Sequence, residues 1–174
     1  MDVRVIRAVL RRPFNFGGYR LQNTRPHKIR LATQGDAEAI HDLTHLAYSK
    51  WVPLIGRNPL PMNVDYNEAL KIHRFDLLYI DQNLAALLET YPAEDCLFLE
   101  NLCVSPEFQR RGLGKKLLKH AEEIARETGH TSIRLDTNKL FTGNVELYHR
   151  TGYITEWEKP VTGGIHVRMR KALR

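Results

Sequence analysis

The chain has 174 residues, of which 43% are hydrophobic and 26% are charged. This size and composition are typical of one soluble globular domain that folds without disulfides or metals. No apolar run reaches the roughly 20 residues that a membrane-spanning helix requires, so we expect no membrane span. Because the net charge is +6, its position along the chain decides whether nucleic acid is an expected partner.

The excess positive charge lies in the first 30 residues. They contain eight Arg or Lys and one acidic residue, whereas the remaining 144 residues contain 18 basic and 19 acidic side chains. We therefore divide the chain into a basic extension, residues 1–27, and a nearly neutral domain, residues 28–174, which makes nucleic acid an unexpected partner. Three interpretations of the extension stay open: a targeting segment, which its lack of Ser disfavours, an RNA-contacting arm, and a weakly ordered or locally packed segment.

Residues 28–74 predict a strand followed by two helices. A short strand at 29–32 precedes Thr33 and Asp36, whose spacing is typical of a helix start. Apolar residues then recur at helical spacing, namely Ala39, Ile40, Leu43 and Ala47. A proline-rich connector, Trp51–Asp65, leads into a short helix at 64–74. An apolar connector of this length is more often functional than idle.

The next part of the chain predicts three strands. Two apolar runs, 76–80 and 84–90, flank a turn-like sequence and indicate a hairpin. Residues 96–104 are nearly continuously apolar, which predicts a central strand buried on both faces with Glu100 and Asn101 inside.

The two cysteines lie in that same run. Cys96 and Cys103 are spaced so that they fall on opposite faces of one strand. We therefore expect free thiols and a reducing, cytoplasmic compartment. Without a Cys/His cluster, no metal site is expected.

The C-terminal third predicts a helix, a strand, a second helix and two further strands. The first helix starts near residue 113 and ends at Gly129, and its apolar positions are Leu113, Leu117, Leu118, Ala121, Ile124 and Ala125. A strand at 132–136, a short helix at 144–151 and two strands around Gly163 follow. The chain is therefore expected to form a single mixed α/β domain.

A glycine-bearing loop joins the predicted central strand to the long helix. The first N–H groups of a helix have no intrahelical partner and attract anions, and Gly112 and Gly114 are expected to let a phosphate approach the backbone. Four basic residues supply counter-charge, namely Arg110, Arg111, Lys115 and Lys116. Neither of the common nucleotide-binding glycine motifs is present. The alternative is a surface turn with a basic helix start.

Two motifs in this region resemble those of the GNAT acyltransferase superfamily. Gln109, Gly112 and Gly114 occupy the three defining positions of its acyl-CoA motif, [Q/R]-x-x-G-x-[G/A], after a strand ending in Val104. Residues 144–153 resemble the family ending N-x-x-L-Y-x-x-x-G-[FY]. The resemblance covers about residues 28–171 and implies an α+β fold: a central mixed, mostly antiparallel sheet of about six to seven strands flanked by about four helices.

The resemblance implies an N-acetyltransferase that uses acetyl-CoA as cosubstrate, without a metal. The acceptor would be a primary amine of a small molecule, a peptide or a protein. The backbone of Leu102, Cys103 and Val104 would hold the pantetheine arm and the acyl carbonyl. The loop would hold the pyrophosphate through Gln109, Arg110, Arg111, Gly112, Leu113, Gly114 and Lys115.

Catalytic roles are assigned on the same basis. Tyr148 would protonate the departing thiolate, since a phenol with a pKa near 10 is neutral at working pH; the alternative is a core aromatic. Glu100 is the candidate general base, because desolvation in a strand would raise its pKa; an ion pair or a water chain are the alternatives. Many relatives have a cofactor-contacting Asn where this chain has Phe141, and Asn138 or Asn144 is expected to substitute.

Two other functions stay open. A non-catalytic acyl-CoA-binding or sensing module would not need Tyr148, and an RNA-associated basic protein would rely on residues 1–27. The resemblance is compatible with a homodimer and gives no membrane partner. His41 and His45 could line the acceptor site, but without a third ligand they are interpreted as solvated or core histidines. The connector has the position at which relatives build part of the acceptor pocket.

Overall fold

The computed structural model describes residues 27–174. The predicted basic extension lies outside the described residues except for His27, which opens the first strand. Within the described part of the chain, no helix is both long and apolar enough to cross a membrane. That part also brings no three His, Cys, Asp or Glu side chains together as a metal site.

Seven strands and five α-helices make up the described domain. The strands are β1 (His27–Leu31), β2 (Arg74–Ile80), β3 (Asn83–Pro92), β4 (Leu97–Val104), β5 (Ser132–Asn138), β6 (Ile154–Val161) and β7 (Gly164–Ala172). The helices are α1 (Ala37–Tyr48), α2 (Val52–Ile55), α3 (Tyr66–Ile72), α4 (Leu113–Glu127) and α5 (Thr142–Arg150). The predicted elements are thus confirmed, with α2 added as a single turn within the connector.

The strands form one sheet in the order β1-β2-β3-β4-β5-β7-β6. Neighbours pair antiparallel except for β4 and β5, which are parallel. This confirms the predicted mixed, mostly antiparallel sheet. One core cluster joins α1 and α3 to the front face of the sheet, and a second joins α4 and Tyr148 of α5 to the back face.

Local sequence patterns account for the start of α1 and for the buried face of α4. Thr33 and Asp36 form the predicted capping box ahead of α1, and Arg30 adds two hydrogen bonds to the Asp36 carboxylate. The predicted apolar stripe of α1 was wrong at one position, because Ala37 is buried and Ala39 is exposed. All six predicted apolar residues of α4 are buried.

A β-bulge in β4 changes what the strand presents to each face. Glu89 of β3 lies opposite Asn101, but the next residue, Thr90, lies opposite Leu99, so Glu100 is the extra residue. Asn101 is 1% exposed, as predicted. The prediction that Glu100 is buried was wrong, because the bulge turns this residue out and leaves it exposed.

The two parallel strands separate soon after they pair. Their register covers only Leu97–Leu99 against Ile133–Leu135, although β4 continues to Val104 and β5 continues to Asn138. The sheet therefore opens between β4 and β5. Both cysteines are buried and free, as predicted.

Candidate active site

Two cavities adjoin at the opening between β4 and β5. The first, the loop cavity, has a volume of about 420 Å³ and is lined by residues 102–104, by the loop from Gln109 to Lys115 except Arg111, and by the start of α5. The predicted site residue Arg111 does not line this cavity; its Nη2 donates to Glu107 O at 2.9 Å. The second, the sheet cavity, has a volume of about 400 Å³ and lies between the connector and strands β4, β5 and β7. Tyr48, Leu102 and Asn144 line both cavities. A molecule bound in one cavity can therefore meet a molecule bound in the other.

The loop before α4 presents a row of free backbone donors. Within residues 27–174, the N–H groups from Arg110 to Lys115 donate no hydrogen bond, and the first bond of the helix runs from Lys116 N to Gly112 O. Arg110 and Gly112 adopt positive φ angles of 60° and 79°, and left-handed residues of this kind are typical of anion-binding nests of backbone N–H groups. Donors of this kind at a helix N-terminus bind phosphate.

Gln109 fixes the loop to the end of β4. Its Nε2 donates to Val104 O at 3.0 Å, and its Oε1 accepts from Lys50 Nζ at 3.3 Å. Burial lowers the pKa of Lys50. The predicted site residue Gln109 therefore positions the loop through both ends of its amide and brings a cation beside it.

Each of the two loop glycines also has a structural role within the described chain. A Cβ on Gly112 would meet no atom within 4 Å, so this position needs glycine for its left-handed φ. A Cβ on Gly114 would lie 2.9 Å from Cδ2 of Leu147. Gly114 therefore lets α4 pack closely against α5 and sets the spacing of the cavity wall.

The predicted pantetheine segment lies along the opening in the sheet. Leu102, Cys103 and Val104 all line the loop cavity. They continue β4 beyond its last pairing with β5, so the edge of β4 that faces β5 has no partner strand there. Backbone polar groups on such an edge can bind an extended ligand that carries its own amides.

Tyr148 has both a core position and an accessible hydroxyl. The residue is 5% exposed and belongs to the core cluster on the back face of the sheet, yet it lines the sheet cavity. Its hydroxyl makes no hydrogen bond to any other described residue. Burial raises the pKa of Tyr148 above the ordinary value for a phenol, so the hydroxyl keeps its proton at neutral pH and can donate it.

The two asparagines predicted to replace the missing one differ in their availability. Asn138 Nδ2 donates to Gly163 O at 2.9 Å and its Oδ1 accepts from Leu140 N at 3.0 Å, so its amide holds the β6–β7 turn. It lines the sheet cavity rather than the loop cavity, which argues against a cofactor contact. Asn144 lines both cavities, and its side chain has no hydrogen bond within the described chain.

Phe141 packs where the cofactor-contacting asparagine was expected. Its ring stacks on Trp51 with centroids 4.6 Å apart. Trp51 lines the loop cavity and Phe141 lines the sheet cavity. The stack therefore joins the connector to the loop before α5 at the boundary between the two cavities.

The connector is held in place by partly buried polar contacts. Tyr66 donates to Pro61 O at 2.8 Å. His45 Nε2 lies 2.9 Å from Met62 O, so this histidine fixes the connector, and it lines neither of the two cavities. Five connector residues line the sheet cavity, namely Ile55, Arg57, Pro59, Leu60 and Pro61.

The β6–β7 turn closes the sheet cavity against the connector. Arg57 Nε donates to Thr162 O at 3.3 Å. A Cβ on Gly163 would lie 2.5 Å from Ile55 O, so glycine is required for this close approach. The cavity is therefore bounded on one side by a turn that touches the connector.

Two carboxylates line the sheet cavity. Glu100 has no ion pair or hydrogen bond among residues 27–174, and its pKa is raised by desolvation and by nearby Asp136. Since the residue as a whole is exposed, this desolvation is partial. Asp136 accepts two hydrogen bonds of 2.8 Å from Arg168 and lies 3.1 Å from His166. Asp136 was not among the predicted site residues, although an acidic side chain within a predicted strand was a usable signal.

The sequence of this chain matches the model of a known protein family. The model of the acetyltransferase (GNAT) family matches residues 39–153. A [ribosomal protein bS18]-alanine N-acetyltransferase of Salmonella typhimurium is 33% identical over 76 residues. That match covers 44% of this chain and 51% of the Salmonella protein, so it spans about half the length of this relative.

Solved structures share the fold. The PaiA N-acetyltransferase of Thermoplasma acidophilum, in complex with coenzyme A, superposes with a TM-score of 0.72 at 18% identity, over 84% of this chain and 99% of that one. The ribosomal-protein-S18-alanine N-acetyltransferase of Escherichia coli gives a TM-score of 0.71 at 19% identity, over 85% and 94%. With a family model that spans both motifs and the opening between β4 and β5, the chain belongs to the acetyltransferase (GNAT) family.

Proposed function

We propose that this protein transfers the acetyl group of acetyl-CoA directly to a primary amine while both substrates are bound. The observation that carries the proposal is the position of Tyr148, an unbonded neutral hydroxyl in the wall of the sheet cavity. The cavity for the cosubstrate adjoins this wall at Leu102 and Asn144. A module that only binds acyl-CoA would need the loop but would not need this proton donor.

The loop cavity is the proposed acetyl-CoA site. The free N–H groups from Arg110 to Lys115 would hold the pyrophosphate, helped by the positive charge of Lys50. The unpaired edge of residues 102–104 would hold the pantetheine arm. Asn144, whose amide is free, would contact the arm where the two cavities meet.

The chemistry proposed at the junction has three proton transfers. The acceptor amine enters the sheet cavity as an ammonium and loses a proton to the carboxylate of Glu100, directly or through water. The neutral nitrogen attacks the thioester carbonyl carbon, and a backbone N–H at residues 102–104 stabilises the oxyanion. The carbonyl then reforms as the C–S bond breaks, and the departing thiolate takes the proton of the Tyr148 hydroxyl. The attacking nitrogen gives its second proton to the Tyr148 oxygen, which leaves a neutral amide, the CoA thiol and the original phenol.

A polypeptide amine is the acceptor that we propose to test first. The Salmonella relative is named for an alanine of ribosomal protein bS18. In this chain, the sheet cavity opens beside exposed apolar side chains of the connector and the β6–β7 hairpin, including Leu60 and Val161. Such a rim suits a chain that continues outward from its terminal amine.

The test is an assay of free CoA thiol with acetyl-CoA and a panel of acceptors. Peptides with free N-termini, peptides with only an internal Lys amine, polyamines and aminoglycosides would each be added to the full chain. Thiol release that depends on one acceptor class, with an acetyl group found on that amine by mass spectrometry, supports the proposal. If the protein binds acetyl-CoA tightly but no acceptor causes release of CoA thiol, the result would favour the sensing module instead.

A further inference from the structure

A buried Glu–His pair behind the sheet cavity is not used in the scheme above. Glu89 of β3 is 2% exposed, and its Oε1 lies 2.6 Å from Nδ1 of His73. The ring of His73 stacks on Tyr91 with centroids 4.6 Å apart, and Tyr91 lines the sheet cavity. Burying a carboxylate in a strand of leucines and alanines is costly, so packing alone does not account for this pair.

The bulge in β4 brings the pair beside Glu100. Glu89 lies directly across from Asn101, the residue that follows the bulged Glu100. The positive charge that His73 can carry lowers the pKa of Glu100, and the negative charge of Glu100 raises the pKa of Glu89. The three groups therefore form one electrostatic cluster at the edge of the cavity.

The elements packed against Glu89 bring few charged groups to it. Strand β2 places the apolar Phe75 opposite it. The titratable groups that face it are Tyr48 of α1, Tyr66 of α3, His73 after α3, and Glu100 and Cys103 of β4. Burial raises the pKa of both tyrosines, and raises that of Cys103 to about 12. These three groups are neutral near pH 7, which leaves His73 and Glu100 as the partners that can carry charge.

Burial raises the pKa of Glu89 itself to about 7, against the opposing effect of its hydrogen bond with His73. The ionised carboxylate accepts a hydrogen bond from the Nδ1–H of the ring, and this arrangement is compatible with a positively charged ring. A protonated Glu89 that donated to Nδ1 would require a neutral ring. Glu89 can thus orient a charged His73 when it is itself ionised.

We infer that His73, oriented by Glu89, is a positioning residue that favours the ionised form of Glu100. The inference rests on the proposed function, in which Glu100 takes the proton of the acceptor amine. His73 touches neither the acceptor nor the thioester in this arrangement. It acts through the charge that it places beside the bulge, and its side chain is 22% exposed.

The test is a carboxyl-carbon NMR titration of the full-length protein, which follows Glu100 whether or not an acceptor is known. His73→Gln removes the charge, so the Glu100 midpoint should rise by roughly half a pH unit or more. His73→Lys keeps a positive charge without the ring and should give a midpoint near that of the unchanged protein. Glu89→Gln keeps a bond to the ring and should not raise the midpoint.

A matched pair on the other face of the sheet provides the control. Asp76 is also 2% exposed, and its Oδ1 lies 3.0 Å from Nε2 of His120. His120→Gln makes the same chemical change there, so it should lower stability and leave the Glu100 titration unmoved. A Glu100 midpoint that stays in place in His73→Gln, or that moves equally in His73→Lys, would overturn the inference.

Kinetics separate this inference from the proposed function. The acid limb of the pH profile of kcat/KM should vanish in Glu100→Gln. If the limb survives that change, Glu100 is not the base and the proposed mechanism fails, whatever the NMR titration shows. If the limb vanishes but His73→Gln shifts neither the limb nor the Glu100 midpoint, the positioning role alone is wrong.

Discussion

Gly114 and Leu147 pack so closely that a Cβ on the glycine would lie 2.9 Å from a Leu147 methyl group. This contact joins the first turn of the helix that follows the glycine-bearing loop to the helix that carries Tyr148. The spacing of the two helices therefore depends on one missing side chain.

Gly114→Ala should lower the free energy of unfolding by about 1–2 kcal/mol, because the added methyl overpacks the contact with Leu147. Leu147→Ala should relieve the clash, so a double-mutant cycle measured by urea unfolding should show a favourable coupling between the two changes. Gly143→Ala is the control, since a Cβ there meets no atom within 4 Å. Strictly additive effects of the first two changes would contradict this account.

Gly112→Ala should cost about 1 kcal/mol of stability, because alanine is strained at a φ of 79°. It should also weaken acetyl-CoA binding, since the strained loop would no longer present its N–H groups in a row. Gly129→Ala is a matched control at the other end of α4, with a φ of 80° and open space around its Cβ position. Isothermal titration calorimetry should show weaker binding for the first variant alone; equal affinities would remove the loop from the proposed site.

Tyr148→Phe should lower kcat at least tenfold and leave the affinity for acetyl-CoA nearly unchanged, because it removes the proposed proton donor and little else. Tyr153→Phe is the control on a neighbouring ring, 5.8 Å away. The Tyr153 hydroxyl is buried without a hydrogen-bond partner in the described chain, so its removal should not reduce stability or kcat. Unchanged turnover in Tyr148→Phe would exclude this tyrosine as the acid.

Replacing each of the two asparagines should change the KM of a different substrate. Asn138→Ala releases the β6–β7 turn from its bond at Gly163, so it should raise the KM of the acceptor more than that of acetyl-CoA. Asn144→Ala removes a free amide at the junction and should have a larger effect on acetyl-CoA. Steady-state kinetics with each substrate varied in turn would measure both effects, and the opposite pattern would reverse the two assignments.

The sequence predicted the features that depend on neighbours along the chain. The capping box at Thr33 and Asp36, the stripe of α4 and the glycine loop are local patterns, and the structure contains all three. The order of elements followed from the same periodicities. The mixed, mostly antiparallel sheet was predicted from the family resemblance, because local sequence patterns do not determine how strands pair.

Features set by strand register could not be predicted in this way. The exposure of Glu100 follows from a bulge, and a bulge is visible only once β3 and β4 are paired. The pair of Glu89 and His73 joins residues from a strand and the end of a helix. A charged residue within the apolar run 84–90 was the one local sign of it. The role of Asn138 likewise depends on a turn 25 residues further along the chain.

The separation of β4 from β5 leaves a place in the sheet where one strand is absent. On the proposed function, the extended pantetheine arm would take that place and pair its amides with residues 102–104, as a neighbouring strand does. The cosubstrate would then be part of the sheet during each turnover, so hydrogen exchange of these backbone amides should slow when acetyl-CoA binds and recover when CoA leaves.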